Sequence, residues 1–228
     1  MSNPKQLAGE RATEYVENGM VVGLGTGSTA FYAIQKLGER IRQGLTIRCI
    51  PTSEQSRMQA EEEGIPLTDF SQVTQIDLTI DGADEVDPAF HLTKGGGGAL
   101  LREKIVASAT RVQIIVADES KLKDRLGAFP LPVEVVPFGW EATRNRLADL
   151  GCDPVLRRMQ ENTPFQTDNG NLILDCPFGR IDDPPALETQ IRSICGVVET
   201  GLFVHLAHRI VIGKTDGTLE ERIEPQPL

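Results

Sequence analysis

The chain has 228 residues, a length that fits one large α/β domain or a domain carrying a smaller insertion. Hydrophobic residues make up 39% and charged residues 25%, the balance of an ordinary globule with a sizeable core. A net charge of −10 with only 5% aromatics excludes a broad basic face or a base-stacking platform, so no nucleic-acid partner is expected.

A small anion stays compatible with that charge, because nearby lysines and helix N-termini act at short range. The four cysteines, Cys49, Cys152, Cys176 and Cys195, form no CxxC pair and read as free thiols of a reducing cytosol. The N-terminus shows no basic-then-apolar signal pattern and no run reaches the length of a membrane span. A cytoplasmic protein with no membrane partner is expected.

Taken in order, residues 5–17 place Leu7, Ala8, Ala12, Tyr15 and Val16 on one helical face, with Gly19 as the stop. Residues 20–24 form a short apolar run suited to a buried parallel strand. A helix over 31–41, a strand over 46–50 and a helix over 53–63 follow. Then come a strand over 76–80, a helix over 99–109 and a strand over 112–117. Strands alternating with helices predict βαβ units: a Rossmann-like α/β fold with an open, mostly parallel sheet and helices on both faces.

The texture changes near Phe129, where FPLPVEVVPFGW brings three prolines and an alternating strand. A helix over 141–150, strands over 155–159 and 171–175, and a helix over 185–194 predict a smaller α+β, ferredoxin-like unit. HLAHRIVIG then returns to a buried strand. The expected organisation is a catalytic domain of residues 1–129 and 201–228 with residues 130–200 inserted. There is no internal repeat or low-complexity tract.

Three loops carry candidate chemistry. GLGTGSTA, residues 23–30, stands at a strand-to-helix junction, where glycines permit close approach and the helix start favours an anion. Its spacing is not that of a dinucleotide fingerprint, and it lacks the GK[ST] ending of a P-loop. A tight turn with a Ser/Thr cap accounts for it equally well. DGADEVD puts Asp81 directly after a strand and Asp84 in the same crevice. Those carboxylates suit either a magnesium site for phosphoryl transfer or the hydroxyls of a sugar, while Glu85 and Asp87 read as solvated.

KGGGGALLREK is either a flexible linker or a backbone wrapped around a ligand, and its place behind the acidic cluster favours the ligand. Glu103 lies in the first turn of the next helix, where a wet, dipole-favoured surface position is the alternative to a pocket. The histidines are His91, His205 and His208, and the HxxH pair has no third ligand nearby, so no metal is expected. No nucleophile elbow is present. A carboxylate base, a lysine and backbone amides remain, a set suited to proton abstraction beside a carbonyl.

GTGSTA, DGADEVD, KGGGGALLREK and ETGLF, in this order along essentially the whole chain, closely resemble ribose-5-phosphate isomerase of the A type. The resemblance implies interconversion of ribose 5-phosphate and ribulose 5-phosphate, a step of the pentose phosphate pathway, through an enediolate and with no cofactor. It implies Glu103 as the proton acceptor. Substrate contacts would fall on Thr26, Gly27, Ser28 and Thr29, on Asp81, Gly82, Ala83 and Asp84, on Lys94, Gly95, Gly96 and Gly97, and on Lys121. Lys5 would match an N-terminal lysine near the phosphate. The partners implied are a small sugar phosphate and further copies of the chain, as a homodimer or tetramer. A non-catalytic sugar-phosphate sensor, an acyl-CoA transferase-like enzyme and a magnesium phosphotransferase are the competing readings.

Overall fold

A computed structural model describes residues 3–224. The chain runs α1 (Pro4–Thr13), β1 (Val21–Leu24), α2 (Ala30–Arg42), β2 (Arg48–Pro51), α3 (Glu54–Glu62) and β3 (Ile76–Gly82). Two short strands follow, β4 (Glu85–Val86) and β5 (Leu92–Thr93), then α4 (Leu100–Ser108) and β6 (Thr110–Asp118). Next come β7 (Leu131–Val135), α5 (Trp140–Ala148), β8 (Val155–Leu156), β9 (Leu172–Cys176), α6 (Pro184–Arg192) and β10 (Val197–Thr200). The described chain closes with β11 (Leu202–Phe203), β12 (Arg209–Gly213) and β13 (Leu219–Ile223).

These elements pack as two compact units, one made of the chain up to Ala83, Arg102–Leu122 and the described residues from His205 onward, the other of Asp84–Leu101 and Lys123–Val204. In the first, a six-stranded sheet has the order β13-β12-β6-β3-β1-β2. All its neighbours pair in parallel except β12 with β13. The inner strands of the sheet are mainly apolar because both faces are covered, whereas the edge strand β13, LEERI, is largely charged. Val22, Leu24, Ile80 and Val116 pack with Ala8, Ala12, Ile34 and Leu37 of α1 and α2. The opposite face sets Val21, Ile50 and Ile76 against Val106 of α4.

From β1 the chain steps out to β2 and returns to β3 on the other side. The direction of winding therefore reverses between β1 and β3, and in such sheets ligands bind outside the carboxyl ends of the strands at that switch point. The expected strand over 76–80 is too short. The parallel ladder with β6 continues through Asp81↔Ile115 and Gly82↔Val116, so Asp81 is a strand residue.

The N-terminal helix is also shorter than expected, ending at Thr13 where residues 5–17 were predicted. Asn3 caps it by accepting the Lys5 N–H, and Pro4 opens the first turn. Its far end is pinned by Glu221 of β13, which accepts from Arg11 (2.7 Å), Tyr15 (2.5 Å) and Arg209 (2.8 Å). Burial pushes the Glu221 carboxyl up, but these three bonds outweigh it and hold it below the usual carboxylate range.

The second unit contains a β-α-β-β-α-β run, β7-α5-β8-β9-α6-β10, whose sheet has the order β10-β7-β9-β8 and is antiparallel throughout. That is the ferredoxin-like arrangement expected of residues 130–200. Leu131, Val133 and Val135 pack with Leu147, Leu174 and Ile191 on the helix-covered face. The unit extends beyond the expected boundaries, beginning at Lys123, ending at Val204 and taking in Asp84–Leu101. Strands β4, β5 and β11 form their own three-stranded sheet there.

Candidate active site

In the first unit, the carboxyl ends of the parallel strands share one edge of the sheet, and most of the predicted residues of this unit lie along it. The loop after β1 is held by a buried carboxylate. Asp81 Oδ1 accepts the amide hydrogens of Thr26 (3.1 Å) and Gly82 (2.7 Å), and Gly25 N–H donates to the Ile80 carbonyl at 2.9 Å. Asp81 is wholly buried, so it acts on the loop from beneath.

Gly25 makes that approach possible. A Cβ at this position would lie 2.2 Å from Asp81 Oδ1 and 2.5 Å from Asp81 Cα, and the latter cannot move without displacing β3. Gly25→Ala is expected to cost about 1–3 kcal/mol by overpacking and to raise KM by distorting the loop. Thermal denaturation and steady-state kinetics check this, and unchanged Tm and KM would sink it.

Thr26 turns inward, its hydroxyl 2.8 Å from both Thr52 Oγ1 and Ser53 Oγ. Gly27 has φ 108° and leads to Ser28, whose hydroxyl accepts from Lys5 Nζ at 3.0 Å. Thr29 is the N-cap of α2 without a side-chain cap bond; the Phe31 and Tyr32 amides already donate to the Gly27 and Thr29 carbonyls, so an anion at this helix start would meet only the amides that precede them. Lys5, Ser28 and the α2 start are thus brought together. Lys121 stands at the same edge, in a 3-10 turn after β6 capped by Asp118.

Glu103 is on the first turn of α4 and is only 4% exposed, which overturns a wet surface position. Since α4 ends at Ser108 and β6 starts at Thr110, its start points back toward the carboxyl edge. Beside it, Arg102 donates to Glu54 Oε1 at 2.9 Å, and with Arg57 it holds the Glu54 carboxyl below its ordinary range.

In the second unit, the acidic cluster and the glycine run are joined. Asp84 N–H donates to the Thr93 carbonyl (2.8 Å), and Asp84 Oδ2 accepts the Gly96 N–H at 2.7 Å. Lys94 is 2% exposed, with its ammonium 5.4 Å from the centroid of the Phe203 ring in the ETGLF motif. Gly96 and Gly97 are exposed.

Glu85 and Asp87 do not face solvent as expected. Glu85 is 1% exposed and accepts from the amides of Gly127 (2.8 Å) and Phe129 (2.9 Å) and from the Thr93 hydroxyl. Asp87 is buried and accepts from Ala89 and His91 amides, closing its own turn. Both satisfy backbone donors that burial would otherwise leave unpaired.

Arg157 was not singled out from the sequence. Its guanidinium makes two bonds to Asp175 and donates from Nη1 to the carbonyls of Gly95 (2.8 Å) and Gly96 (3.1 Å). Nothing local to Arg157 marks this, since the Gly95 carbonyl is 62 positions away. The HxxH pair is structural at His208, whose Nδ1 accepts the Gln113 N–H at 3.0 Å. Among the described residues, no group of three or more His, Cys, Asp or Glu could hold a metal ion.

The family model for ribose 5-phosphate isomerase A (phosphoriboisomerase A) matches residues 48–217. A ribose-5-phosphate isomerase A of Bacillus mycoides (strain KBAB4) is 51% identical over 221 residues, covering 96% of this chain and 100% of that relative. The chain belongs to the ribose-5-phosphate isomerase A family. Among solved structures, a D-ribose-5-phosphate isomerase in complex with phospho-erythronic acid is 40% identical with a TM-score of 0.93, covering 97% of this chain and 100% of that one. The ribose 5-phosphate isomerase A of Methanocaldococcus jannaschii is 39% identical with a TM-score of 0.91, covering 96% and 97%. The isomerase fold of these relatives thus extends over nearly all of the chain.

Proposed function

We propose that Glu103 is the proton shuttle of this isomerase and that the other predicted residues hold and polarise its substrate. Family membership makes the reaction the interconversion of ribose 5-phosphate and ribulose 5-phosphate. The observation that carries the Glu103 assignment is its burial on the first turn of α4, at the carboxyl edge of the parallel sheet. A carboxylate removed from water loses competing solvation and is a stronger base toward a carbon acid.

In this reading the phosphate sits on the start of α2, with Ser28 and Thr29, Lys5 and Lys121 as its donors. Asp81 shapes that loop and, with Asp84, assists opening of the furanose ring and holds sugar hydroxyls. Glu103 removes the C2 proton of the open-chain aldose and returns it to C1. Lys94 and the amides of Gly95, Gly96 and Gly97 stabilise the oxygen that becomes negative in the enediolate. No cofactor enters these steps.

A ribose 5-phosphate isomerisation assay in excess EDTA, with wild type beside Glu103→Gln, tests this reading. Loss of wild-type turnover in EDTA would favour a metal on Asp81 and Asp84. Lys121→Ala should raise KM several-fold with kcat little changed, because a contact to the non-reacting phosphate is made equally in ground and transition states. A loss confined to kcat would remove Lys121 from the phosphate.

We further infer a cytoplasmic homo-oligomer, dimer or tetramer. Four free cysteines suit a reducing compartment. Phe138 is 95% exposed beside a hollow of about 830 Å³ lined by Val136, Ala142, Ile194 and Val197, the kind of apolar surface that marks subunit contact. Sedimentation should show an oligomer that Phe138→Asp weakens, and a monomeric wild type would end the idea.

A further inference from the structure

We propose that Phe165 is a positioning residue for the isomerisation: its ring braces the far end of the glycine run and so fixes where the Gly96 and Gly97 amides point. This role rests on the reading that the run stabilises the enediolate. Within the second unit, Gly95 to Gly98 close a tight turn in which Gly98 N–H donates to the Gly95 carbonyl at 2.9 Å. Gly95 and Gly98 are buried, whereas Gly96 and Gly97 between them are exposed.

The tip of the Phe165 ring covers Gly98. A Cβ on Gly98 would lie 2.4 Å from Phe165 Cζ and 2.6 Å from Cε1, so the ring packs directly on the glycine backbone. Gly98 has φ 83°, a conformation that glycine enters and leaves at little cost. Such a run takes its path from what it touches. Arg157 holds the Gly95 and Gly96 carbonyls, Asp84 holds the Gly96 amide, and Phe165 holds the end that neither of them reaches.

The ring is itself placed by long-range bonds. Phe165 N–H donates to the Arg157 carbonyl at 2.9 Å, and the Arg157 guanidinium lies 5.8 Å from the ring centroid. Two residues on, the Thr167 hydroxyl donates to the fully buried Glu134 of β7 at 2.9 Å, and the Asn171 side-chain amide donates to the same oxygen at 2.8 Å. The excursion between β8 and β9 is therefore anchored to β7. It delivers both the arginine and the ring to the glycine run.

The test compares Phe165→Ala, Phe165→Leu and Phe165→Met in the full chain by isomerisation kinetics, Tm and amide hydrogen exchange of a peptide spanning residues 94–101. Phe165→Ala should lower kcat roughly 10-fold and speed exchange in that peptide, with KM changed less than about two-fold because the phosphate handle is held by the α2 start. Leucine keeps apolar bulk at the root of the ring but ends short of Gly98, so it should recover Tm and little of kcat. Methionine is about as long as the ring and should recover most of kcat. Full recovery of kcat by leucine overturns the proposal, because packing alone would then account for Phe165. A fall in kcat without faster exchange overturns it too. So does an unchanged kcat in Phe165→Ala, and exchange then says why: faster exchange removes the glycine run from the chemistry, whereas unchanged exchange shows that the ring does not hold the run and leaves the role of the run intact. If Phe165→Ala does not fold, the leucine and methionine variants decide.

Discussion

Glu103→Gln is expected to lower turnover by about 100-fold or more, the usual loss when a positioned general base is removed. The substitution keeps the shape of the side chain and removes only its basicity, so packing around a residue that is 4% exposed is preserved. Substrate affinity should change little, because the proton transfer is made only in the transition state. The decisive measurement is kcat with ribose 5-phosphate beside the Tm of the same preparation. Near-wild-type turnover would remove Glu103 from the chemistry, whereas a collapsed Tm would show that the carboxylate is needed for folding instead.

Arg157→Ala should be the next most damaging change, although no proton passes through Arg157. Its Nη1 holds the Gly95 and Gly96 carbonyls, which fixes the direction of that peptide chain and of the amides beyond it. Truncation frees a glycine run that has little preference of its own. Mispositioning of this order costs roughly 10- to 100-fold in kcat when the displaced groups stabilise developing charge.

Truncation also deprives Asp175 of its bidentate partner, with side-chain exposures of 15% for Arg157 and 26% for Asp175. A cost of about 1–3 kcal/mol is expected from leaving such a polar group poorly satisfied. Arg157→Lys should recover part of the stability but little of kcat, because one ammonium cannot span two carboxylate oxygens and two carbonyls. Equal, full recovery of both by lysine would reduce Arg157 to a packing residue.

What could be read from the sequence depended on how local each signal was. The parallel sheet was legible because β1, β2, β3 and β6 are short, largely apolar runs followed or preceded by a helix, and β12 is an apolar run of its own. The β-α-β-β-α-β pattern was legible in the same way. The short strands β4, β5 and β11, two residues each, are too brief to show any period. Strand β13, with the sequence LEERI, reads as a charged surface segment, and only pairing with β12 and the Glu221 cluster makes it a strand.

The acidic run DGADEVD shows the division most sharply. That carboxylates gather at the end of an apolar strand is a property of the sequence alone. Which of them meet solvent was decided by distant backbone. Asp81 is taken up by the Thr26 amide, Asp84 by that of Gly96, and Glu85 by those of Gly127 and Phe129. A carboxylate has no directional preference until donors are brought to it, and these donors lie 12 to 55 positions away.

By itself, then, the sequence determined the fold class and the family and nominated Glu103 as the base to test, because those rest on apolar periodicity and on contiguous motifs. Only the tertiary structure decided that Glu103 is buried, that Lys5 reaches Ser28 and that Arg157 clamps the glycine loop. Burial and long-range hydrogen bonds depend on which segments the packed chain brings together, and no local pattern encodes that.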